Sequence, residues 1–313
     1  MFGIPVDLLV LALAVVLDLT LGEPPARLHP TVWIGKSVAL AERAAPGGNT
    51  QQLLYGGLLA VVIPGAWAAF AYLAVTGLHS LHPVAYVLVG ALLLKSTFAV
   101  RMLHRAAARV RSLLLAGDLA GVRAAMPSLV SRDPSALSSQ QATAATVESV
   151  SENITDSFIG PLLAFALFGL PGAVAYRAIN TLDSMIGYHG RYEYLGKASA
   201  RLDDLVNLAP ARLSALLLVL SSALGRNGNS GGAWRIMWRD HARTESPNAG
   251  WTMSAVAGML GVALEKAGHY RLGDDTRPLE PSDISRAVRA MYTVAGLGLL
   301  IAIGTVFLRH EFF

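Results

Sequence analysis

Carboxylates, amides and arginines at helical spacing are the groups in this chain best suited to chemistry, and they concentrate between Glu148 and Tyr188. Glu148, Glu152 and Asp156 fall at i, i+4 and i+8, which stacks three carboxylates along one helix face. Beyond an apolar run over 158–176, broken by Gly169-Leu170-Pro171-Gly172, Tyr176, Asn180 and Asp183 repeat the pattern. Like charges at i, i+4 destabilise a helix by roughly 0.2–0.5 kcal/mol. A row of acids beside apolar sequence therefore points to a cation, a phosphate-bound metal or an arginine. A solvated acidic face is the alternative.

Other candidates are spread along the chain. Arg27 and His29 follow Asp18 and the turn Gly22-Glu23-Pro24-Pro25, expected as a shaped turn at the membrane surface. Arg132 precedes Asp133-Pro134, a pair that fits an N-cap with proline at N1. Arg177 lies inside the organising stretch, and Arg201, Asp203, Asp204 and Asn207 follow it at helical spacing. Helix capping is the alternative for the two aspartates. Arg212 sits within an apolar run, where a buried arginine needs a carboxylate or phosphate partner. Ser246-Pro247-Asn248-Ala249-Gly250 reads as a helix start with Ser246 as N-cap, and a helix N-terminus beneath a tight loop binds anions. Gly250, Ser254 and Gly258 at four-residue intervals admit close backbone packing, its competing explanation. Arg101, Arg105 and Arg109 read first as lipid anchors that set topology.

The elements that must position these groups are membrane helices. Of 313 residues, 53% are hydrophobic and only 15% charged, and the apolar ones come in long runs: 7–21, 53–76, 83–100, 158–176, 208–225 and 290–308. Each approaches or exceeds the length that crosses hydrocarbon. The first has no basic n-region or small-residue cleavage site and is interrupted by Asp18, so it is expected to be a span rather than a signal peptide. The fold class is all-α: a polytopic integral membrane protein with about four to six transmembrane helices and a re-entrant helical hairpin at 158–187. The chain is expected to be a single membrane domain, 1–313, with polar helical and loop insertions at 101–157 and 226–289. Cysteine is absent, which excludes disulfides, thiolate metal sites and thiol nucleophiles. Arginines crowd the connections and favour a cytoplasmic face for them. No basic stripe interleaved with aromatics points to nucleic acid, and no G-x-x-x-x-G-K-[ST] loop is present.

Carboxylates so spaced suit Mg²⁺, which takes one or two side-chain oxygens and leaves its other positions to phosphate and water. Arginines suit the phosphate oxygens themselves. The residues alone thus indicate a membrane-embedded enzyme handling a phosphorylated small molecule. Two other classes stand beside it. A membrane phospho-alcohol transferase would carry D-x-x-D-G-x-x-A-R…G-x-x-x-D-x-x-x-D, which is absent. A transporter would share intramembrane acids and broken helices.

Several motifs taken in order resemble the CobD/CbiB family, the membrane enzymes of cobalamin biosynthesis called adenosylcobinamide-phosphate synthase. They are Asp18…Gly22-x-Pro24…His29-Pro30…Gly35, Ser131-Arg132-Asp133, Glu148-x-x-x-Glu152-Asn153-x-x-Asp156, Tyr176-Arg177-x-x-Asn180-Thr181-Leu182-Asp183, Ala200-Arg201-x-Asp203-Asp204-x-x-Asn207-x-x-Pro210-Ala211-Arg212 and Ser246-Pro247-Asn248-Ala249-Gly250. The resemblance covers nearly the whole chain. Glu23 stands where the family is expected to carry aspartate. AmpE-like membrane proteins, which resemble the family and act in signalling, are the non-enzyme reading.

The resemblance implies ATP-dependent amide ligation of adenosylcobyric acid with (R)-1-amino-2-propanol or its O-phosphate. ATP as co-substrate, Mg²⁺, membrane lipid, a corrinoid substrate and a complex with other late-pathway enzymes are the implied partners. The implied location is the inner membrane, with the site on the cytoplasmic side. Within that reading, residue chemistry assigns Glu148, Glu152, Asp156 and Asp183 to catalysis at the metal and the amine. Glu152, Asp156 and Asp183 are metal ligands, and Asp203 and Asp204 a second ligand pair. Arg27, His29, Arg132, Arg177, Asn180, Arg201, Arg212, Ser246 and Asn248 are the expected substrate and phosphate contacts.

Overall fold

The structure is a computed structural model describing residues 5–130, 133–225, 228–266 and 268–312. In chain order the helices are α1 (Val6–Thr20), α2 (Pro30–Arg43), α3 (Asn49–Leu81), α4 (Pro83–Lys95), α5 (Val100–Leu115), α6 (Leu119–Ala125), α7 (Ser139–Ile154), α8 (Gly160–Ile186), α9 (Lys197–Val206), α10 (Leu208–Leu224), α11 (Ser230–Asp240), α12 (Ala249–Leu260) and α13 (Pro281–Phe312). Between α12 and α13, strands β1 (Leu264–Lys266) and β2 (Tyr270–Leu272) pair antiparallel. Part of the polar insertion expected at 226–289 is therefore a short hairpin.

The all-α membrane architecture holds. By length and composition four segments could cross a bilayer, Asn49–Leu81, Pro83–Leu115, Ser139–Ile186 (broken at Gly169) and Pro281–Phe312, or five if α9 and α10 count as one broken span. At 15 residues α1 is shorter than the roughly 20 residues that hydrocarbon demands.

The chain packs into two compact units. The described residues of Met1–Ala99, Gly160–Asn207 and Leu299–Phe313 make the first, and Val100–Ile159 with Leu208–Gly298 the second. In the first, Val38, Leu59, Ala60, Ile63, Leu182, Ile186 and Leu195 form one apolar cluster that seats α8 against α3. In the second, α12 is buried along its whole length. A Cβ at Gly258 would come within 2.3 Å of the Gly232 carbonyl oxygen and one at Gly250 within 2.1 Å of that of His241. The small-residue spacing of α12 serves close packing.

Local sequence explains several helix starts. His29-Pro30 and His82-Pro83 cap α2 and α4 alike: each histidine Nδ1 accepts the backbone N–H two residues on, and each proline occupies the first turn. Ser138 and Gln141 form a reciprocal capping box at α7. That box, not Asp133-Pro134, starts the helix. The Asp133 carboxylate is engaged by the Ser135 N–H at 2.9 Å and its hydroxyl at 2.8 Å, a local turn that competes with capping.

The expected re-entrant hairpin is present within α8. Gly169 has φ 67° and ψ −163°, a conformation that breaks the helix, and Pro171 falls in the first turn of the returning arm, where no N–H is required. Residues 160 and 176 would lie about 24 Å apart on a straight helix. Instead a Cβ at Gly160 would come within 2.1 Å of the Tyr176 Oη, and one at Gly172 within 2.7 Å of the Ala164 carbonyl oxygen. The fold-back leaves carbonyls of the first arm without helical donors. Arg309 supplies them, with its Nη1 3.0 Å from the Phe165 oxygen and 3.1 Å from that of Ala166. Its other nitrogen pairs with Asp7, which also accepts from the Tyr86 hydroxyl.

Candidate functional site

In the first unit, the returning arm of α8 and helix α9 bring five motif residues into one chain of hydrogen bonds. The Arg177 Nη1 donates to the Asn180 Oδ1 at 3.2 Å, and the Asn180 Nδ2 lies 3.5 Å from the Asp203 Oδ1. The Asn207 Nδ2 donates to the second Asp203 oxygen at 3.0 Å, and the Tyr176 hydroxyl donates to the Asn207 Oδ1 at 2.6 Å. Asp203 is thus held between two amides, its direction fixed from both oxygens. Asp183 and Asp204 are half-buried and Arg201 is exposed. The spacing of Tyr176, Asn180 and Asp183 did place them on one arm, and the fold adds α9 opposite.

The turn after α1 forms a buried charge network. The Lys95 Nζ lies 3.1 Å from the Asp18 Oδ1 and 2.6 Å from the Glu23 Oε1, with Lys95 2% and Asp18 1% exposed. The His29 Nε2 lies 2.7 Å from the other Glu23 oxygen. Because Nδ1 accepts from Thr31, Nε2 carries the proton and donates it to Glu23. Burial pushes the Glu23 carboxyl up, but His29 and Lys95 outweigh it and hold the group below the ordinary glutamate range. His29 therefore caps α2 and anchors Glu23, while Arg27 is exposed and offers its carbonyl to the Trp33 indole at 2.9 Å. Sequence reasoning passed over Lys95. The signal was there: it is the one charged residue in the run 83–100, where an unpaired ammonium is expensive.

In the second unit, α7 carries Glu148 buried and Glu152 exposed. Asp156 is half-buried but belongs to a π-helical turn, Thr155–Ile159, so the third carboxylate leaves the regular α-helical register of the other two. The Ser157 hydroxyl donates to the Asn153 Oδ1 at 2.9 Å within the same stretch.

Helix α12 begins at Ala249 with Asn248 as cap residue, two positions later than expected. Ser246 is otherwise engaged: its hydroxyl accepts from the Asn248 N–H at 3.2 Å and its carbonyl from the Thr244 hydroxyl at 2.8 Å. Arg212 reaches this helix start, but not through the anionic partner anticipated for it. Its Nη1 donates to the Leu208 carbonyl at 2.8 Å and to the Asn248 Oδ1 at 3.2 Å, and its guanidinium carbon stands 4.9 Å from the Trp251 ring centroid. All of these partners are neutral. Trp251 is 7% exposed, and its indole N–H has no acceptor among the described residues. His241 stacks on Trp251 at 4.0 Å and 31°, and Trp238 meets it edge-on at 5.2 Å. The His241 Nδ1–H donates to the carbonyls of Met237 and Trp238, at 3.2 and 3.1 Å. This aromatic stack has no linear signature, because its members come from separate elements. Arg132 lies outside the described residues.

Among the described residues, no three His, Cys, Asp or Glu side chains converge as a metal cage.

The sequence model of the family described as "CobD/Cbib protein" matches residues 11–291. The chain belongs to the CobD/CbiB family. It is 45% identical over 301 residues to the "Cobalamin biosynthesis protein CobD" of Dehalococcoides mccartyi, covering 96% of this chain and 97% of that one. It is 42% identical over 299 residues to the protein of the same name from Geobacter metallireducens, at 92% and 93% coverage. Against the "Cobalamin biosynthesis protein CbiB" of Salmonella typhimurium the identity is 38% over 304 residues, covering 93% and 95%. No solved structure matches the chain. The CobD/CbiB match spans every motif residue discussed above, from Asp18 to Asn248. Asp7 and Arg309, which brace the hairpin tip, fall outside it.

Proposed function

We propose that this CobD/CbiB chain works in cobalamin biosynthesis as a ligase. It would join the carboxylate of (adenosyl)cobyric acid to (R)-1-amino-2-propanol or its O-phosphate at the expense of ATP. The observation that carries the reading is the start of α12, where, among the described residues, Arg212 is held by neutral groups and the Trp251 N–H lacks an acceptor. A guanidinium and a helix N-terminus together form an excess of donors that suits a phosphate or carboxylate.

A carboxylate is a poor acyl donor. In the proposed reaction a carboxylate oxygen attacks the γ-phosphorus of ATP, and ADP leaves. The amine then attacks the acyl carbon, phosphate departs, and a side-chain carboxylate takes the ammonium proton. Glu148, Glu152, Asp156 and Asp183 are the candidates for that base. Arg177, Arg201 and Arg212 are the candidates for neutralising charge on phosphate oxygens. Mg²⁺ bound beside a nucleotide needs only one or two protein carboxylates, so the adjacent Asp203 and Asp204 fit it where a three-residue cage is not required. When bound, it would neutralise charge on the transferring phosphoryl group.

The test is an end-point assay on purified protein in detergent. Cobyric acid, aminopropanol phosphate and Mg²⁺ are incubated with and without ATP, and products are read by mass spectrometry. An ATP-dependent amide is the expected product, and Glu152→Ala and Asp183→Ala should abolish it while the protein still inserts in the membrane. No amide from folded protein would refute the ligase reading in favour of transport or signalling. Normal turnover in both variants would remove these acids from the chemistry.

A further inference from the structure

The second unit contains a cavity of about 470 Å³ away from the start of α12. Ser221 and Ser222 at the end of α10, Met259 at the end of α12, and Arg286, Arg289 and Thr293 on α13 line it. No Asp or Glu is among its lining residues. The family motifs do not include it, and the proposed ligation does not use it.

Three features give it a preference. Arg286 and Arg289, at i and i+3, share a helix face, and the Arg289 side chain makes no hydrogen bond or ion pair with any described residue. Arg286 pairs with Asp283 at 3.2 Å, but the same carboxylate is gripped more closely by Arg277, at 2.6 and 2.8 Å. Asp283 is thus shared by two guanidiniums, with Glu280 also acting on Arg277, and part of the Arg286 charge is left over on the cavity side. Third, the Ser222 hydroxyl, on a residue only 1% exposed, has no partner among the described residues. Native structures rarely leave such a group unsatisfied.

Two effects oppose an anion here: the C-terminal poles of α10 and α12 each carry about half a negative charge. The full charge of Arg289, with the part of the Arg286 charge that Asp283 leaves unneutralised, outweighs them. The volume matches small-molecule sites of roughly 300–1,000 Å³ and would be underfilled by a bare inorganic ion. Met259 and Ala290 give an organic moiety an apolar surface. We propose that this cavity binds an organic phosphate, with Arg286 and Arg289 on the phosphate oxygens and the Ser222 hydroxyl on a further acceptor atom. A soluble nucleotide and a phospholipid headgroup share this chemistry.

The two sources are separated by measuring binding to the full chain in nanodiscs. One arm uses discs of phosphatidylcholine alone with radiolabelled ATP. The other adds phosphatidylglycerol to the discs and reads retained lipid by native mass spectrometry. Arg289→Gln, which breaks no ion pair, should weaken the bound phosphate species about tenfold, the worth of a charge-assisted contact. Thr293→Trp should block it by filling the mouth, and Ser222→Ala should weaken it less, all with unchanged thermal unfolding. Dependence of ATP binding on Arg289 identifies a nucleotide site. Dependence of retained phosphatidylglycerol alone identifies a headgroup site. Overturning the proposal requires that neither ATP nor phosphatidylglycerol binding responds to Arg289→Gln or Thr293→Trp. That outcome would leave the ligase reading untouched, since ATP bound at Arg212 is insensitive to these changes and is lost in Arg212→Gln.

Discussion

Replacing Gly169 by alanine tests the fold-back of α8 through the sign of its effect. At φ 67° and ψ −163° the position lies in a region essentially restricted to glycine. Space is not the obstacle, because an added Cβ would meet nothing closer than the Arg309 Nη1 and the Pro171 Cδ, both at 3.7 Å. The penalty is therefore backbone strain alone, about 1–3 kcal/mol. For a chain of this size that corresponds to a fall of roughly 2–5 °C in the unfolding midpoint. Were 158–176 one straight span, the same change would remove a helix-interior glycine and stabilise by about 1 kcal/mol, raising the midpoint. Gly172→Ala sharpens the contrast, since its Cβ would press within 2.5 Å of the Phe168 Cβ in the hairpin. Thermal unfolding in detergent, followed by tryptophan fluorescence at one fixed scan rate, reads both variants. A midpoint equal to or above wild type for Gly169→Ala would refute the hairpin.

Lys95→Met should leave Asp18 and Glu23 without their shared cation and destabilise the first unit by about 3–5 kcal/mol. Loss of monodisperse protein on size exclusion is the expected result, with recovery when Asp18→Asn and Glu23→Gln are added; recovery would fail if the lysine served packing alone. Asp240 supplies a pH test. Burial pushes its carboxyl up, but Arg239, the Gly273 N–H and Arg243 hold it below the ordinary aspartate range. A depressed folded value means stability that is present above the unfolded value, about 3.9, and lost as pH falls through the folded one. Asp240→Asn should flatten the unfolding midpoint below about pH 4, and parallel acid limbs for the two proteins would contradict the assignment. Arg212→Gln should cut turnover about tenfold or more, with Arg212→Lys retaining part of it. An unchanged rate would take Arg212 out of the site.

What the sequence made legible was set by local bonds. The break at Gly169-Leu170-Pro171-Gly172 could be located because a glycine able to take positive φ and a proline tolerated only in a first turn leave few alternatives. The same locality misled at Asp133 and Ser246. Both have the side chain of a cap residue, yet each spends it on a group two residues away, and no rule of spacing decides between turn and cap. The Tyr176–Asn207 and Asn180–Asp203 bonds join elements 31 and 23 residues apart. Helical periodicity put Asn180 on one face and Asp203 on another without saying that the faces meet.

The charges gave a different kind of information. An ionisable group in an apolar run announces that it has a partner, because the alternative is too costly, but not which partner. For Lys95 the partner is a pair of acids from the turn after α1, so the group is satisfied within the fold. For Arg212 the same reasoning anticipated a carboxylate or a phosphate, and within the fold its partners are a carbonyl, an amide and an indole face. The two cases separate structure from function more sharply than burial does. A buried lysine between two carboxylates has no charge left to offer a ligand. An arginine surrounded by neutral dipoles retains its full charge beside a helix N-terminus, where no neutral ligand would repay the repulsion. That difference is why the α12 start, rather than the more deeply buried network of Asp18, Glu23 and Lys95, carries the functional reading.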